Sequence, residues 1–255
     1  MKKLILIALL TATSLFSFAK DKEAAGMPAK KNCVKLNLTS LVYKNFGVQY
    51  ERALTPKIAV ACQLRLMPKG TPMFYNSLET AIQDDPNASA GTINGLTVGS
   101  FAITPEFRFY PKHVMRGFYL APYFRFRSIN MGTGYTFKDD NNVTRTMTLD
   151  GKMTTFGGGL MIGSHFNIGK SFSLDWFILG LHYTSSNGSF DGAISGSGMS
   201  AADQLKLRND LQSTLDDSQF FKKNVVSVTS NAASVSTKFG MVGLRGFGLN
   251  FGYRF

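Results

Sequence analysis

Apolar and polar residues alternate along most of the chain after its N-terminal segment. Within 57–67, one parity is apolar and the other is small or polar: Ile58, Val60, Cys62, Leu64 and Leu66 against Ala59, Ala61, Gln63 and Arg65. A period of two indicates a β-strand with one apolar face. The same split recurs at 34–42, 46–51, 101–109, 118–127, 155–163, 172–179 and 247–255. The pattern predicts eight strands of about ten residues, the length that crosses a bilayer at a tilt of about 45°.

The connections between these strands alternate in length. Short ones are predicted at 54–56, 111–116 and 167–170, and long ones at 68–98, 129–151 and 184–238. In an antiparallel meander all long connections then lie at one end, as in outer-membrane barrels with short periplasmic turns and long external loops. The short external connection at 43–45 is an exception. We therefore predict an all-β fold for 33–255: an eight-stranded antiparallel up-and-down transmembrane β-barrel, with short helices in its external loops.

A soluble barrel with the phenylalanines inside is the alternative, because alternation alone does not say which face points outward. The polar face consists mostly of Gly, Ala, Thr and Tyr, which suits a filled interior better than a solvated exterior. Charged residues make up only 17% of the chain, against about 25% in soluble domains. Aromatic residues also gather near strand ends, where interfacial girdles lie. These features favour the membrane barrel.

The N-terminus has the pattern of an export signal. Lys2 and Lys3 precede an apolar run over 4–16, and small residues follow at 17 and 19. This pattern predicts a cleaved signal peptide over 1–19 and a periplasmic segment over 20–32. The apolar run is shorter than the ~20 residues of a membrane-spanning helix. The predicted location is the bacterial outer membrane of a Gram-negative envelope.

Several segments resemble a family of small, largely uncharacterised outer-membrane β-barrel proteins of Bacteroidota-type bacteria, a domain family of unknown function. The resemblance rests on segments that span nearly all of the chain after the signal: Lys35-Leu36-Asn37-Leu38, Gln49-Tyr50-Glu51-Arg52-Ala53-Leu54, Phe101-Ala102-Ile103-Thr104-Pro105-Glu106-Phe107-Arg108-Phe109-Tyr110, Arg116-Gly117-Phe118-Tyr119-Leu120-Ala121-Pro122 and Gly157-Gly158-Gly159. It implies a fold and a location and no settled activity. The terminal Tyr253 to Phe255 is similar to the assembly signal that many outer-membrane barrels present to the barrel-assembly machinery.

An eight-stranded barrel has an interior that side chains fill, rather than an aqueous channel. Parity places these charged residues inside: Lys35, Glu51, Arg65, Glu106, Arg108, Arg125, Arg127, Asp175 and Arg254. Glu106 is expected opposite Tyr123 and diagonal to Arg125, within reach of an ion pair. We therefore predict an interior ionic network that includes Glu106, Arg108, Arg125 and Arg127. The alternative is an anion-binding or ion-conducting path through the arginines.

Candidate chemistry elsewhere is weak. His113 and His165 fall in or near predicted periplasmic turns, where we expect solvated side chains. His182 lies near the external end of its strand, followed by Ser185 and Ser186. A histidine that activates a serine at the rim would make a lipid-modifying enzyme, the second alternative. We assign no catalytic residue, no cofactor and no metal site, since two cysteines and three histidines form no cluster with ligand spacing. The glycines at 157–159 are interpreted as small interior packing residues.

The longest predicted loop contains a helix over 200–219. Ser200 and Asp203 have the spacing of an N-terminal cap, and Leu207, Leu211 and Leu215 form a stripe. The stripe predicts either a lid on the barrel mouth or a docking surface, and a shorter helix is expected at 77–83. Predicted partners are outer-membrane lipid, the barrel-assembly machinery during biogenesis and an unidentified protein at the external loops, with no nucleic acid. The predicted function is structural or surface recognition.

Overall fold

The computed structural model describes residues 28–73, 92–138, 144–194, 198–216 and 221–255. The described chain forms these strands and helices: β1 (Asn32–Asn37), α1 (Leu38–Val42), β2 (Phe46–Ala53), β3 (Ile58–Gly70), β4 (Thr92–Phe109), β5 (Gly117–Lys138), β6 (Thr144–Ile168), β7 (Phe172–Ile194), α2 (Ala201–Asp216), β8 (Phe221–Val228), β9 (Ala232–Arg245) and β10 (Gly248–Arg254). Neither helix of this part of the chain is long and apolar enough to cross a membrane.

Eight strands close into a ring. Strands β1 to β7 pair consecutively, β1 also pairs with β10, and β10 returns to β7. Strand β9 continues the line of β10: Ala232–Arg245 pairs with the upper part of β7, and Gly248–Tyr253 pairs with its lower part. Strand β8 lies outside the ring, on the free edge of β9. The predicted all-β, antiparallel, up-and-down ring of eight strands is confirmed.

Both described ends of the chain lie at one end of the ring. Asn32 and Phe255 exchange backbone hydrogen bonds of 3.0 and 2.9 Å. The short turns at 54–57 and 169–171 lie at this same end, because β2 and β6 both finish there. The opposite end carries the three longest connections, 38–45, 71–91 and the one between β7 and β8, together with the five-residue connection between β5 and β6. We call the two ends the turn end and the loop end.

The central strands are much longer than the sequence predicts. Strands β4, β5, β6 and β7 contain 18, 22, 25 and 23 residues. They extend into the segments 68–98, 129–151 and 184–238, which were predicted to be loops. In their upper parts the apolar residues, such as Ile129 and Met131 on β5 and Leu149 and Met153 on β6, have the inward parity, and the outward residues are polar or small. The alternation therefore changes phase although the ladder of backbone hydrogen bonds continues. The helix expected at 77–83 lies outside the described residues.

The first strand is shorter than predicted. The alternation suggested a strand over 34–42, yet β1 ends at Asn37 and α1 follows. The Asn37 side chain accepts a hydrogen bond of 2.7 Å from the backbone N–H of Ser40, which is the contact of a helix N-cap. A cap is a local interaction that overrides the alternating pattern. Helix α1 packs against β2 and β10.

A β-bulge at Ile178 changes which residues of β7 face the interior. Leu179 is opposite Ile162 while Phe177 is opposite Gly163, so Ile178 is an extra residue on this strand. Below the bulge the odd-numbered residues are buried, and above it the even-numbered ones are buried. The single parity predicted for 172–179 is therefore wrong beyond Phe177.

Polar side chains fill the barrel and apolar side chains cover its outer surface. On β2, Val48 is 48% exposed while its neighbour Gln49 is 1% exposed. The same alternation holds along the lower parts of β3 to β6. The charged residues inside are more completely buried than most of the phenylalanines outside.

Candidate functional site: the charged interior

Four strands contribute to a fully buried ion cluster near the turn end. Lys35 on β1 forms ion pairs with Glu51 on β2 and Asp175 on β7. Arg108 on β4 contacts the same two carboxylates, with its Nη1 2.9 Å from Glu51 Oε2 and 2.6 Å from Asp175 Oδ2. All four side chains are fully buried. We call these residues the base cluster; its two cations balance its two anions.

Tyrosines complete the hydrogen bonding of the base cluster. Tyr110 donates a hydrogen bond of 2.6 Å to Glu51 Oε1, and Tyr119 donates one of 2.9 Å to Asp175 Oδ1. The Arg108 guanidinium also lies over the Tyr119 ring, 4.5 Å from its centroid. Every carboxylate oxygen of the base cluster therefore has a donor, which is the condition for tolerating buried charge.

Glu106 connects the base cluster to the residues above it. Its Oε2 lies 2.7 Å from Arg108 Nη2, and its Oε1 lies 2.8 Å from Arg245 Nη1. Gln49 donates a further hydrogen bond of 3.0 Å to Glu106, and Arg245 donates one of 2.7 Å to Gln63. The predicted residues Glu106 and Arg108 thus lie in direct contact.

Arg245 is a functional candidate that sequence reasoning missed. It lies on β9, within a glycine-rich stretch where no apolar alternation marks a strand. Its guanidinium contacts the rings of Phe177 and Tyr123, at 4.6 and 5.2 Å from the ring centroids. Its position just before the apolar run at 247–255 was the only sequence signal.

Arg125 and Arg127 lie above the base cluster, nearer the loop end. Glu106 is opposite Tyr123, as the sequence predicts. Glu106, however, makes its described ion pairs with Arg108 and Arg245, and Arg125 instead donates a hydrogen bond of 3.2 Å to Thr104.

Arg65 lies on the same inner face as Arg125 and Arg127. Arg65 and Arg127 are both opposite Ala102, one from each neighbouring strand. We call Arg65, Arg125, Arg127 and Arg245 the arginine cluster.

Arg254 is the remaining interior arginine predicted from parity. It lies at the turn end, where its Nη2 donates hydrogen bonds of 3.3 Å to the backbone carbonyls of Gly169 and Lys170. Gly252 of β10 is opposite Lys35, so Arg254, two residues further toward the turn end, lies below the base cluster. Its described contacts anchor the last turn.

His165 is not the solvated side chain that we expected. It is fully buried, with Nδ1 3.4 Å from Lys35 Nζ and 3.7 Å from Glu51 Oε2. Strand β6 continues past this position to Ile168, so His165 faces the interior instead of a turn. His113 does lie in the turn before β5, in an isolated bridge with Arg116.

Three buried side chains have the donor types of a metal site. Ligand atoms of Glu51, His165 and Asp175 lie within 4.8 Å of one another. Lys35 Nζ bonds to both carboxylates, and Arg108 does the same. An ammonium and a guanidinium thus take the place that a metal ion would need, so this donor set does not fit a metal.

His182 does not form a catalytic pair with the serines that follow it. The bulge at Ile178 turns His182 toward the interior, where its Nδ1 lies 3.0 Å from the hydroxyl of Tyr123. Ser185 points to the opposite face and is exposed. Ser186 faces inward like His182, but it lies four residues further along β7, beyond Thr184. The described geometry gives no support to a rim enzyme.

Glycines on β6 allow close packing beside His182. A Cβ atom on Gly159 would meet the Cα of His182 at 2.7 Å, and one on Gly157 would meet the Cα of Thr184 at 2.7 Å. Such distances do not occur between real side chains and backbone. The glycines therefore permit β6 and β7 to approach each other, which is a structural role and not phosphate binding.

The upper parts of β4 to β7, together with β9, β8 and helix α2, extend beyond the apolar part of the ring, and we call this region the extended wall. Within it, helix α2 and strand β8 lie outside the ring. The N-cap prediction is confirmed, because the backbone N–H of Asp203 donates a hydrogen bond of 3.2 Å to Ser200 Oγ. Helix α2 packs on β8 in the described contacts, instead of covering the barrel mouth. At its end, hydrogen bonds from Gln212 and Asn224 lower the pKa of the Asp216 carboxyl.

These features define an antiparallel β-barrel with an ion-paired interior, an apolar outer surface and an extended wall at one end. The chain belongs to the family described as "Protein of unknown function (DUF3575)", whose model matches residues 5–191. No curated protein matches the chain. Among solved structures, it is similar to a major outer membrane protein from Thermus thermophilus, with 15% identity, a TM-score of 0.35 and coverage of 89% of this chain and 100% of that chain. At that TM-score the two backbones differ too much to transfer a location or a function.

Proposed function

We propose that the protein is an integral outer-membrane β-barrel whose extended wall has a structural or recognition role at the cell surface. The observation that carries this proposal is the distribution of exposed and buried side chains. Phe124 and Phe156 are 60% and 59% exposed on the outer surface, whereas Arg108 and Asp175 are completely buried. Water would favour the reverse arrangement, because the free energy falls when apolar surface is removed from water. A bilayer around the ring gives these phenylalanines an apolar environment.

The apolar outer surface is nearly as tall as the apolar band of outer-membrane barrels. On β5 the outward residues are apolar from Phe118 to Phe126, a span of about 26 Å along the strand at about 3.3 Å per residue. At a tilt of about 40° this span is about 20 Å high, close to the ~25 Å apolar band of outer-membrane barrels. Ser128 follows on the same face, and Thr154 lies opposite it on β6. Both strands therefore lose their apolar face at one level, as a membrane boundary requires.

The wall continues well beyond that boundary. Strand β6 has 25 residues, so it extends about 80 Å along its own direction at about 3.3 Å per residue. Its outward residues above Phe156 include Thr154, Lys152 and Asp150, which suit water and lipid headgroups. Helix α2 and β8 lie in this upper region. Such a projection supports a role in contacts at the cell surface.

The interior argues against a general pore. The base cluster and its tyrosines are fully buried and connect β1, β2, β4 and β7 across the lumen. An ion that crossed the barrel would have to separate these pairs. Recognition by the wall therefore has better support than conduction.

Protease mapping on intact cells tests the location and the orientation together. Trypsin should cut after Lys206 or Arg208, which are exposed on α2. Lys112, exposed in the turn between β4 and β5, is the internal control and should be cut only after the outer membrane is opened. The protein should also fractionate with the outer membrane and migrate faster on gels when unheated than when boiled. Recovery in the soluble periplasmic fraction, or cutting after Lys112 in intact cells, would overturn the proposal.

A further inference from the structure

The arginine cluster has more positive charge than the interior balances. Lys35 and Arg108 are matched by Glu51 and Asp175 in the base cluster. Above them, Glu106 is the one carboxylate among the described residues that forms an ion pair with a member of the arginine cluster. Four guanidinium groups therefore share one carboxylate, which leaves an excess of three positive charges.

The members of the arginine cluster lie close enough to repel one another. The guanidinium groups of Arg125 and Arg245 both lie beside the Tyr123 ring, 5.9 and 5.2 Å from its centroid, and Arg65 carries the same charge near both of them. Arg65 and Arg127 occupy one row of the wall, on either side of Ala102. Like charges at partly buried positions are costly because water screens them weakly. A counterion in their midst would remove that cost.

Several buried hydrogen-bond donors in and beside the arginine cluster have no acceptor in the described chain. They are Arg65 Nε, Arg125 Nη2, Arg245 Nε and the amide nitrogen Nε2 of Gln63. Arg245 and Gln63 are 4% and 1% exposed, so bulk water does not surround their donors. Buried donors are normally hydrogen-bonded. These donors enter one lumen from three strands, β3, β5 and β9, that are not adjacent in the sheet, so an acceptor with several oxygen atoms is needed to satisfy them together.

The side chains between and beside Arg65, Arg125 and Arg127 are small, whereas Arg245 lies against the rings of Phe177 and Tyr123. Ala102 separates Arg65 from Arg127, and Thr104 and Gly157 share the interior face beside Arg125. Guanidinium groups match the paired oxygens of phosphate and carboxylate groups, which they bind with two parallel hydrogen bonds. A tetrahedral oxyanion can accept such pairs from more than two arginines at once, and a carboxylate cannot.

The geometry points to a phosphate-binding site formed by Arg65, Arg125, Arg127 and Arg245 in the loop-end half of the barrel. The phosphate group is either dissolved phosphate or the headgroup of a phosphorylated lipid, since both present the same oxygens. This site is independent of the recognition role proposed for the wall. It binds an anion within the lumen and requires no path through the base cluster.

Thermal unfolding of the full chain, refolded in a phosphate-free detergent such as an amine oxide, tests this site. One series adds inorganic phosphate and a second adds chloride at equal ionic strength. A third adds mixed micelles that contain phosphatidic acid, with phosphatidylcholine micelles as the reference. A ligand that binds only the folded barrel raises the midpoint in proportion to the logarithm of its concentration above Kd. Phosphate or phosphatidic acid should raise the midpoint, and chloride should not.

Two variants separate binding from general charge effects. Arg125→Gln and Arg127→Gln should each weaken phosphate binding at least tenfold. Each should also raise the midpoint without phosphate, because a repelling charge is gone. Lys152→Gln removes the same charge from the outer face of β6 and should do neither.

The arms of the experiment identify the source of the phosphate group. A response to inorganic phosphate assigns the site to dissolved phosphate or small phosphate esters, and a response to phosphatidic acid alone assigns it to lipid headgroups. Equal midpoints in phosphate, phosphatidic acid and chloride would overturn the proposal. So would Arg125→Gln and Arg127→Gln variants that bind phosphate as the wild type does.

Discussion

Replacing Lys35 by methionine tests whether the base cluster stabilises the barrel as a unit. Lys35 lies between Glu51 and Asp175. After the change both carboxylates keep Arg108 and one tyrosine each, and Glu51 also keeps His165 at 3.7 Å. Two buried carboxylates would then share a single cation. Methionine nearly matches the lysine stem in volume, so the change removes charge and hydrogen bonds without opening a large cavity.

The expected loss of stability follows from the distances in the cluster. Two unit charges about 3 Å apart interact by about 5 kcal/mol at an effective dielectric constant of about 20. Burying the ammonium offsets part of this interaction, so removal of one partner of a buried pair costs about 3–5 kcal/mol. Lys152→Met, on the exposed outer face of β6, should change stability by no more than about 0.5 kcal/mol.

A double variant separates charge balance from packing. Asp175→Asn alone should also destabilise the barrel, because Lys35 and Arg108 then share Glu51 and have one anion fewer. In the double variant Lys35→Met with Asp175→Asn, the cluster is neutral again. Its loss should therefore be smaller than the sum of the single losses, by about 1–3 kcal/mol.

Urea unfolding of the protein refolded into liposomes is the suitable assay. Trp176 is the one tryptophan of the chain and follows Asp175 directly, so its fluorescence reports on the wall beside the cluster. Equal midpoints for wild type and Lys35→Met would show that the ion pairs contribute nothing net. Strict additivity in the double variant would show that Lys35 and Asp175 act independently, against the contacts described above.

Three further predictions concern the faces, the end and the packing of the barrel. Leu64→Arg, on the exposed face of β3, should cost about 2–4 kcal/mol near the bilayer midplane, whereas the inward Ala61→Ser should cost little; the opposite order in liposome refolding would invert our assignment of the faces. Deleting Phe255 should sharply reduce insertion in cells while thermal stability in detergent stays nearly normal, and equal losses in both would indicate a packing role. Gly159→Ala should cost about 1–3 kcal/mol by overpacking against β7, and the outward Gly158→Ala, compared by urea titration, should cost less; equal effects would contradict the close approach of β6 and β7.

Alternation predicts the lower barrel well and the upper wall poorly, for a physical reason. From Phe118 to Phe126 the outward residues are apolar, which leaves a period of two in the sequence. Above Ser128 the apolar residues, such as Ile129, Met131 and Met153, have the inward parity and the outward ones are polar or small. The phase of the alternation therefore changes, and a search for one continuous apolar face stops at this point. The lengths of β5 to β7 were consequently underestimated.

Local irregularities account for the other differences at the candidate site. A single inserted residue, Ile178, reverses the parity of β7 and moves His182 into the lumen. Arg245 lies in a glycine-rich segment, so parity could not assign it. By contrast, Glu106 and Arg108 lie in an unbroken alternating strand, and their inward orientation follows from the sequence alone.

The base cluster also constrains the order in which the barrel is built. Its charges come from the first, second, fourth and seventh strands, and Lys35 meets Asp175 only when β1 and β7 lie on either side of β10. An incomplete barrel that entered the bilayer would have to carry unpaired charges into a medium that excludes them. In the proposed membrane setting, insertion before the last strand is in place would therefore be unfavourable. For a barrel that inserts into a membrane, as proposed above, the cluster would therefore disfavour insertion of chains whose strands are missing or paired in the wrong order.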